Sequence, residues 1–332
     1  MNIVVWHVHG SWTTAFVQGP HRYLLPTLPD GSGGRPAAWE WPASAVEVPV
    51  ARLHEEPVDL VVLQRPEELG LAAEYLGRVP GRDVPAVYLE HNTPRGPAVQ
   101  TRHPVADRDD LLLVHVTHFN ALAWDAGRTA ATVIEHGVVD PGERYTGELA
   151  AAAVVVNEPL RRGRITGTDL LPAFAAAAPL DVFGMATDGV GEALGDPDRI
   201  RGRGDLPQYR MHAEMARRRV YLHPIRWTSL GLALVEAMHL GMPVVALATT
   251  EAVEAVPPGT GVCGTDPQRL ARALRELVAD PDRARELGAA ARAHALRRYG
   301  LSRFLDDWEA ALARAVLDHD ARRRAVRPAG RP

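Results

Sequence analysis

Lysine is missing altogether from the 332 residues, so all 37 basic side chains are arginine. Chemistry that needs an amine, such as a Schiff base, is thereby excluded. Any anion site has to be assembled from guanidinium groups, backbone N–H groups or helix amino ends. The lone cysteine, Cys263, excludes an internal disulfide and a cysteine cage for zinc. Aromatics are scarce at 6%, whereas a nucleic-acid footprint would interleave them along a basic stripe. Nucleic acid is therefore not an expected partner. No run approaches the roughly 18 consecutive apolar residues of a membrane-spanning helix. The opening MNIVVWHVHG has neither a basic region nor a cleavage site, which predicts no secretory signal and a cytoplasmic location.

What is present reads as an ordinary globular chain, with 46% apolar and 23% charged residues. Its length predicts about two domains. The net charge of −4 is uneven, because residues 269–332 hold 15 Arg against 9 acidic residues. The last of these, Arg322, Arg323, Arg324, Arg327 and Arg331, read as a solvated basic tail over 321–332. Whether that tail touches an anionic membrane is left open.

Short apolar runs alternate with longer periodic stretches, the pattern of parallel strands joined by crossover helices. Strands are predicted at 3–8, 60–64, 86–90, 111–116 and 132–136, and a second series at 152–157, 180–185, 219–224 and 243–248. Two such series predict two Rossmann-like domains. The change-over falls in the turn-rich 138–151 stretch, giving domains of 1–145 and 146–300. Helices are predicted at 229–241, 267–280 and 281–300, and a last amphipathic helix follows at 301–320. DGSGGRPAA (30–38) reads as a Gly-rich loop, either an insertion or a mobile lid.

HPIRWTSLGLALVEAMHLGMPVVA (223–246) carries the most chemistry. A strand ends at Pro224 and a helix is expected from about Ser229, with Thr228 or Ser229 as its N-cap. Gly231 lets a ligand approach the backbone, and the helix amino end suits phosphate. Glu236 is a carboxylate on an apolar helix, costly unless paired. It reads either as a structural acid bonded to a neighbour or as an acceptor for the vicinal hydroxyls of a ribose. GVGEAL (189–194) and GRGDLP (202–207) both lack the last glycine of a dinucleotide fingerprint, so a nicotinamide oxidoreductase is unsupported. His7 and His9 have a metal-ligand spacing on one predicted strand but no third ligand, so no metal is expected. THFN (117–120) offers His118 and Asn120 as acceptor-side groups or, more simply, as a helix cap.

From Thr228 to Ala246 the segment resembles the retaining glycosyltransferases of the GT-B fold, the GT4-like or glycosyl transferases group 1 family. That family carries E-G-F-G-L followed by a Glu-Ala-Met-Ala-x-Gly-x-Pro-Val-Val-Ala stretch. The likeness continues through AVEAVPPGTGVCGTDPQRLARALRELVADPDRARELGAAARAHALRRYG, and VIEHGVVDP resembles the family's interdomain segment. The resemblance implies two Rossmann-like parallel-sheet domains facing a central cleft, with the 301–320 helix crossing back to the first domain. It implies that Glu236 grips the nucleotide's ribose, and that Ser229, Leu230 and Gly231 meet the sugar and diphosphate through their backbone. The family's first Glu of this motif is Thr228 here, which leaves open an altered donor or lost activity. Its Arg…Lys phosphate clamp maps onto NEPLRRGRITGTDLLPAF (157–174), with Thr166 at the Lys position and Arg161, Arg162 and Arg164 as candidate replacements. The strand-terminal His that reaches the donor sugar corresponds to His91. The loop HGSWTTAFVQGPHRY (9–23) resembles the family's glycine-bearing loop, with Gly10 or Gly19 under the phosphates.

The expected function is transfer of a sugar from a nucleotide-activated donor to a hydroxyl-bearing small molecule or glycan, with retention and without metal or bound cofactor. His91 and Arg164 are the catalytic candidates. One rival is a non-hydrolysing sugar-nucleotide epimerase, which would need Glu90, Asp188 or Glu192 as acid and base. The other is a non-catalytic nucleotide- or glycan-binding relative.

Overall fold

The computed structural model describes residues 1–35 and 39–326. Residues 36–38 of the Gly-rich loop and 327–332 of the basic tail, with Arg327 and Arg331, lie outside the described residues. The chain divides into two compact units, one formed by Met1–Val139 with the segment from Leu301 onward, the other by Asp140–Gly300.

The first unit is built on seven strands: β1 (Asn2–Val5), β2 (Arg22–Thr27), β3 (Ala45–Pro49), β4 (Leu60–Leu63), β5 (Ala86–Glu90), β6 (Leu112–His115) and β7 (Ala131–Val133). They form one sheet in the order β3-β2-β1-β4-β5-β6-β7, and every pairing is parallel. The run LVVL of β4 is buried at all four positions, as expected for a parallel strand covered on both faces. β2 and β3 were not expected from the sequence. Pro26 sits inside β2 and Pro49 ends β3, and proline argues against a strand wherever the ladder needs an N–H. Residues 10–16, expected as loop, form the helix Gly10–Phe16, because Trp12, Thr13, Ala15 and Phe16 bury one side of it.

The second unit has six strands: β8 (Leu149–Val155), β9 (Leu180–Phe183), β10 (Ile200–Gly202), β11 (Arg218–His223), β12 (Val244–Leu247) and β13 (Val262–Gly264). Their order is β10-β9-β8-β11-β12-β13, again all parallel. β10 and β13 are three-residue edge strands, too short to announce themselves by periodicity. Two helices close this unit. Asp266 caps Pro267–Ala279 by accepting from Gln268 N at 2.9 Å, and Asp280 caps Pro281–Arg298 by accepting from Arg283 N at 3.0 Å. Each helix begins with proline, whose missing N–H costs nothing there.

The last helix, Leu301–Val326, belongs to the first unit. Phe304, Trp308 and Leu312 are buried along it. Trp308 meets Phe16 at 4.9 Å and Trp12 at 5.6 Å between ring centroids. The helix continues past the expected end at 320, and Arg322, Arg323 and Arg324 are helical rather than part of a frayed tail. Two bonds hold this end: His319 Nε2 lies 3.2 Å from Arg82 O, and Arg322 Nη2 donates to Asp110 O at 3.0 Å. Among the described residues no helix is long and apolar enough to cross a membrane.

Removing the indole of Trp308 opens a cavity among three aromatic rings, so Trp308→Ala is expected to cost about 3–5 kcal/mol. Urea unfolding followed by circular dichroism measures this. A midpoint equal to that of the parent chain would show that the last helix contributes nothing to the core of the first unit.

Candidate active site

In an open parallel sheet a ligand binds outside the carboxyl ends of the strands, where the strand order reverses. In the second unit that point lies between β8 and β11. The loop after β8 and the loop after β11 are stitched together there. Arg226 N and Trp227 N both donate to Ile165 O, at 2.9 and 3.3 Å. Gly167, with φ of +74°, presses its bare Cα against Pro224 O, where any Cβ would collide. The loop after β12 joins them, since Thr249 Oγ1 donates to Ile225 O at 2.8 Å. Glu158 after β8, Ala186 after β9 and Thr250 after β12 have positive φ without being glycine. Such strain persists where the surroundings over-determine it, and it gathers at functional sites.

The arginines of the first loop divide by partner. Arg161 forms a two-bond pair with Glu158, three residues before it. Arg164 Nη1 donates to Asp169 Oδ2 at 3.0 Å, and Arg226 Nη2 donates to the same oxygen at 2.9 Å. Arg162 is half-buried and has no ion-pair partner among the described residues. Burial pushes its guanidinium pKa down, and the charge of Arg161 adds to the effect. Glu158 offsets this in part without forming an ion pair, and an anion seated beside the half-buried cation would offset the rest. Thr166, at the expected Lys position, spends its hydroxyl inside the loop on Gly163 O at 3.1 Å and on the Thr168 hydroxyl at 2.9 Å.

After β11 the helix runs Leu232–His239, starting three residues later than expected. Gly231, not Thr228 or Ser229, is its N-cap. The buried ring of His223 occupies the space beside Gly231, where a Cβ would lie 2.6 Å from His223 Cε1, so glycine is the residue that fits this position. Tyr221 OH lies 3.3 Å from His223 Nδ1. Burial lowers the His223 pKa to about 4. Ser229 and Leu230 are buried and Thr228 is half-buried. Glu236 is buried at 2% exposure. Gln208 Nε2 donates to its Oε1 at 2.9 Å, and His212 Nε2 lies 3.3 Å from its Oε2. Gln208 and His212 stand one turn apart on the helix Gln208–Arg217. Sequence reasoning missed both, along with Tyr221, His223 and Arg226. The i,i+4 spacing of Gln208 and His212 was the available signal, but nothing linked it to Glu236.

In the first unit the strand order reverses between β1 and β4. His91 follows β5 directly and is buried. Its Nε2 lies 2.7 Å from Gln64 Oε1, while Gln64 Nε2 donates to Trp6 O at 2.6 Å. Gln64 therefore presents its carbonyl to the ring, which makes His91 Nε2 the protonated donor. Burial drives the His91 pKa well below its ordinary value, with His9 and His136 adding to the shift. His9 lies across His91, their ring centroids 4.1 Å apart. His7 and His9 lie past the end of β1 at Val5, not on a strand as expected. His7 is turned aside, with Nδ1 3.1 Å from Gly34 O. Gly10 opens the first helix beside Trp39, while Gly19 lies ahead of β2, at the opposite edge of the sheet. Tyr23 OH fills the space next to Gly19, so it is not placed under a ligand at this edge. Thr117, rather than His118, caps the helix His118–Ala123 by accepting from Asn120 N at 3.0 Å.

Two all-parallel α/β units, the second with a buried acid and arginines at its strand-order reversal, define a GT-B protein. Residues 192–294 match the family glycosyl transferases group 1. It is 31% identical over 154 residues to a GDP-mannose-dependent monoacylated alpha-(1-6)-phosphatidylinositol monomannoside mannosyltransferase of Corynebacterium glutamicum, covering 46% of this chain and 32% of that one. It is 33% identical over 135 residues to a D-inositol 3-phosphate glycosyltransferase of Streptomyces griseus, covering 40% of this chain and 28% of that one. The match thus spans about a third or less of the length of these relatives. Among solved structures, sucrose-phosphate synthase from Thermosynechococcus elongatus has a similar fold at 15% identity and a TM-score of 0.72, covering 95% of this chain and 99% of that one. The Anabaena protein HepE in complex with UDP-glucose matches at 18% identity and a TM-score of 0.67, covering 95% and 100%.

Two outcomes follow from this geometry. Arg162→Ala is expected to weaken nucleoside diphosphate binding about 10- to 100-fold, the worth of a charge-assisted hydrogen bond at about 1.5–3 kcal/mol. Arg161→Ala and Arg164→Ala should each change it less than about threefold, because those side chains already serve carboxylates. Equal losses in all three variants, measured by calorimetry, would contradict the division. Between pH 6.5 and about 4 the unfolded chain takes up a proton at His223 that the folded chain refuses. Stability contributed by the neutral ring is therefore complete above pH 6.5 and falls as the pH drops through that window. His223→Asn should flatten the decline measured by urea unfolding at a series of pH values.

Proposed function

We propose that the protein transfers a sugar from a nucleotide-activated donor to a hydroxyl of a small molecule or glycan, with retention of configuration. The observation that carries this reading is Glu236. It is a buried carboxylate one helical turn beyond the Gly231 cap, held by Gln208 and approached by His212, and it adjoins the point where the second sheet reverses its order. A carboxylate fixed in that way is preorganised to accept the two hydroxyls of a ribose. Arg162 and the amino end of the Leu232–His239 helix would hold the diphosphate. HepE has been crystallised with UDP and with UDP-glucose, and the corynebacterial relative is named for GDP-mannose, which supports a nucleoside diphosphate sugar as donor class.

In the reaction the bond from the sugar's anomeric carbon to the diphosphate oxygen breaks, and the acceptor oxygen bonds that carbon on the same face. The acceptor's proton passes to the departing phosphate. Charge growing on the diphosphate is met by Arg162 and the helix end, which are fixed beforehand. In the first unit His91 is neutral and bonded through Nε2 to Gln64, which leaves Nδ1 in the acceptor form suited to a hydroxyl. No step calls for a metal or a resident cofactor, and the work belongs in the cytoplasm.

The epimerase alternative is less well served. Asp188 and Glu192 are exposed in the second unit. Glu90, in the first, is buried and committed to His103 Nε2 at 3.0 Å and Asn92 N at 2.6 Å. A binding-only relative would keep the nucleotide pocket and turn nothing over.

The test is a thermal-shift series with UDP, GDP, ADP, CDP and dTDP. A ligand that binds only the folded chain adds about 2.7 kcal/mol at a hundredfold excess over Kd. One or two nucleotides are expected to raise Tm clearly, and Glu236→Ala is expected to abolish the shift without lowering the Tm of the free chain by more than a few degrees. An undiminished shift in that variant would remove Glu236 from the pocket and the reading with it.

A further inference from the structure

The torsion that sets the plane of a glutamate carboxylate is broad and roughly two-fold, so no rotamer preference fixes it. A ribose presents its two hydroxyls on neighbouring carbons. A carboxylate that takes both must meet them with its two oxygens at once and in one plane. The plane of the Glu236 carboxylate therefore decides whether a nucleotide is held through two hydroxyls or through one. A directional bond from a neighbour has to set it, and the helix Gln208–Arg217 supplies such a bond. An ionised carboxylate only accepts, so the Gln208 amide turns its NH2 toward Glu236, and Nε2 donates to Oε1 at 2.9 Å. His212 Nε2 stands 3.3 Å from Oε2 but is not aligned as a hydrogen bond. Of the two, Gln208 is the aligned donor.

The support beneath Gln208 is firm. His212, Met215 and Ala216 are buried on the same helix, and with Gln208 they fall at i, i+4, i+7 and i+8, a single face. Thr146 N and Gly147 N both donate to Ala216 O, at 3.0 and 3.1 Å. Just past the helix the buried Arg218 donates to Asp181 Oδ2 at 2.7 Å and to Glu214 Oε2 at 2.6 Å. A side chain projecting from an element anchored in this way holds its partner more precisely than one on a loop. The bond to Glu236 spans 28 residues of sequence and lies wholly within the second unit. Gln208 itself is half-buried, and Tyr209 and Arg210 beside it are exposed. Replacing its amide therefore disturbs little apolar packing.

We propose that Gln208 is a positioning residue: by fixing the plane of the Glu236 carboxylate, it lets the site distinguish a ribonucleoside diphosphate from its 2′-deoxy counterpart. This rests on the transfer reading above and narrows the donor to the ribose series. Glu236 is the group that meets the nucleotide, and Gln208 acts through it.

The experiment uses the full chain and four probes, UDP, 2′-deoxy-UDP, GDP and 2′-deoxy-GDP, titrated by calorimetry at pH 8. In the parent chain the better-bound base is expected to bind about tenfold more tightly as the ribonucleotide, the worth of a hydroxyl bonded to a charged group. Gln208→Met keeps the length of the side chain and removes the donor. It is expected to weaken the ribonucleotide about fivefold and to leave the deoxynucleotide within about twofold of the parent, the loss of one such bond. Equal weakening of both forms is what a merely structural role would give, and it would overturn the proposal. An unchanged preference for ribose would overturn it too. Gln208→Glu, which puts an acceptor where the donor was, decides alone if circular dichroism shows that Gln208→Met does not fold. The ribose preference is expected to fall there as well, and its persistence would overturn the proposal. The parent chain tests the underlying reading separately. If it binds no nucleotide, or binds both forms of each base alike, the ribose grip of Glu236 falls and this inference falls with it. If it prefers ribose and the Gln208 variants do too, this inference falls alone.

Discussion

The carbonyl of Ile165 accepts two backbone N–H groups, from Arg226 and Trp227, and the candidate site of the second unit depends on that junction. It joins the loop after the first strand of the unit to the loop after the fourth, across the point where the strand order turns back. Gly167 makes the approach feasible, since any side chain there would run into Pro224 O. Once the loops are held in this way, their side chains lose most of their freedom. Arg226 closes onto Asp169, which also takes Arg164, and Thr166 and Thr168 turn inward to satisfy the loop's own carbonyls. What remains unspent is Arg162. Among the arginines of these two loops Arg162 is thus the one without an ion pair among the described residues, and the proposed diphosphate site rests on that difference.

A second constraint concerns Glu236. Burying a carboxylate costs several kcal/mol unless hydrogen bonds replace its water. Gln208 supplies one such bond, and His212 stands one turn further along the same helix. His223 contributes differently, by standing where the Cβ of residue 231 would be. The helix begins at Leu232, and the residues from Thr228 to Gly231 are non-helical, bent at Thr228 and Ser229. A buried imidazole and a glycine thus pack together at the helix amino end, and Glu236 lies on the helix that follows.

Much of this architecture was legible in the sequence. The long apolar strands and the proline-led helices after Asp266 and Asp280 followed from patterns that local chemistry enforces, whereas the register of the Thr228–Ala246 segment came from its family resemblance. β2, β3, β10 and β13 were not legible, because proline interrupts or ends two of them and the other two are three residues long. The helix Gly10–Phe16 was missed for a related reason: Gly10 and the Thr13–Thr14 pair read as loop, and only Trp308 from the far end of the chain makes burial of Trp12 and Phe16 worthwhile. At the candidate site, Glu236 stood out in the sequence as a carboxylate on an apolar helix, but its partners did not. Gln208, His212 and His223 are set by tertiary contacts across intervals of 28, 24 and 8 residues, and no local period encodes those. The three-arginine run showed the reverse limitation. The sequence offers Arg161, Arg162 and Arg164 as equals, and only the positions of Glu158 and Asp169 separate them.

Thr228 sharpens the argument about what the chain has retained. A glutamate at this position could accept charge-assisted bonds from a sugar's hydroxyls, whereas a threonine hydroxyl accepts and donates single neutral bonds. Threonine in place of glutamate removes a negative charge from the loop after β11 and leaves the helix to start from its Gly231 cap. On the proposed function, the nucleotide would be held by Glu236, Arg162 and the helix start, none of which contacts residue 228 through any hydrogen bond described above. A substitution at residue 228 would then alter contacts to the sugar while leaving those to the nucleotide in place.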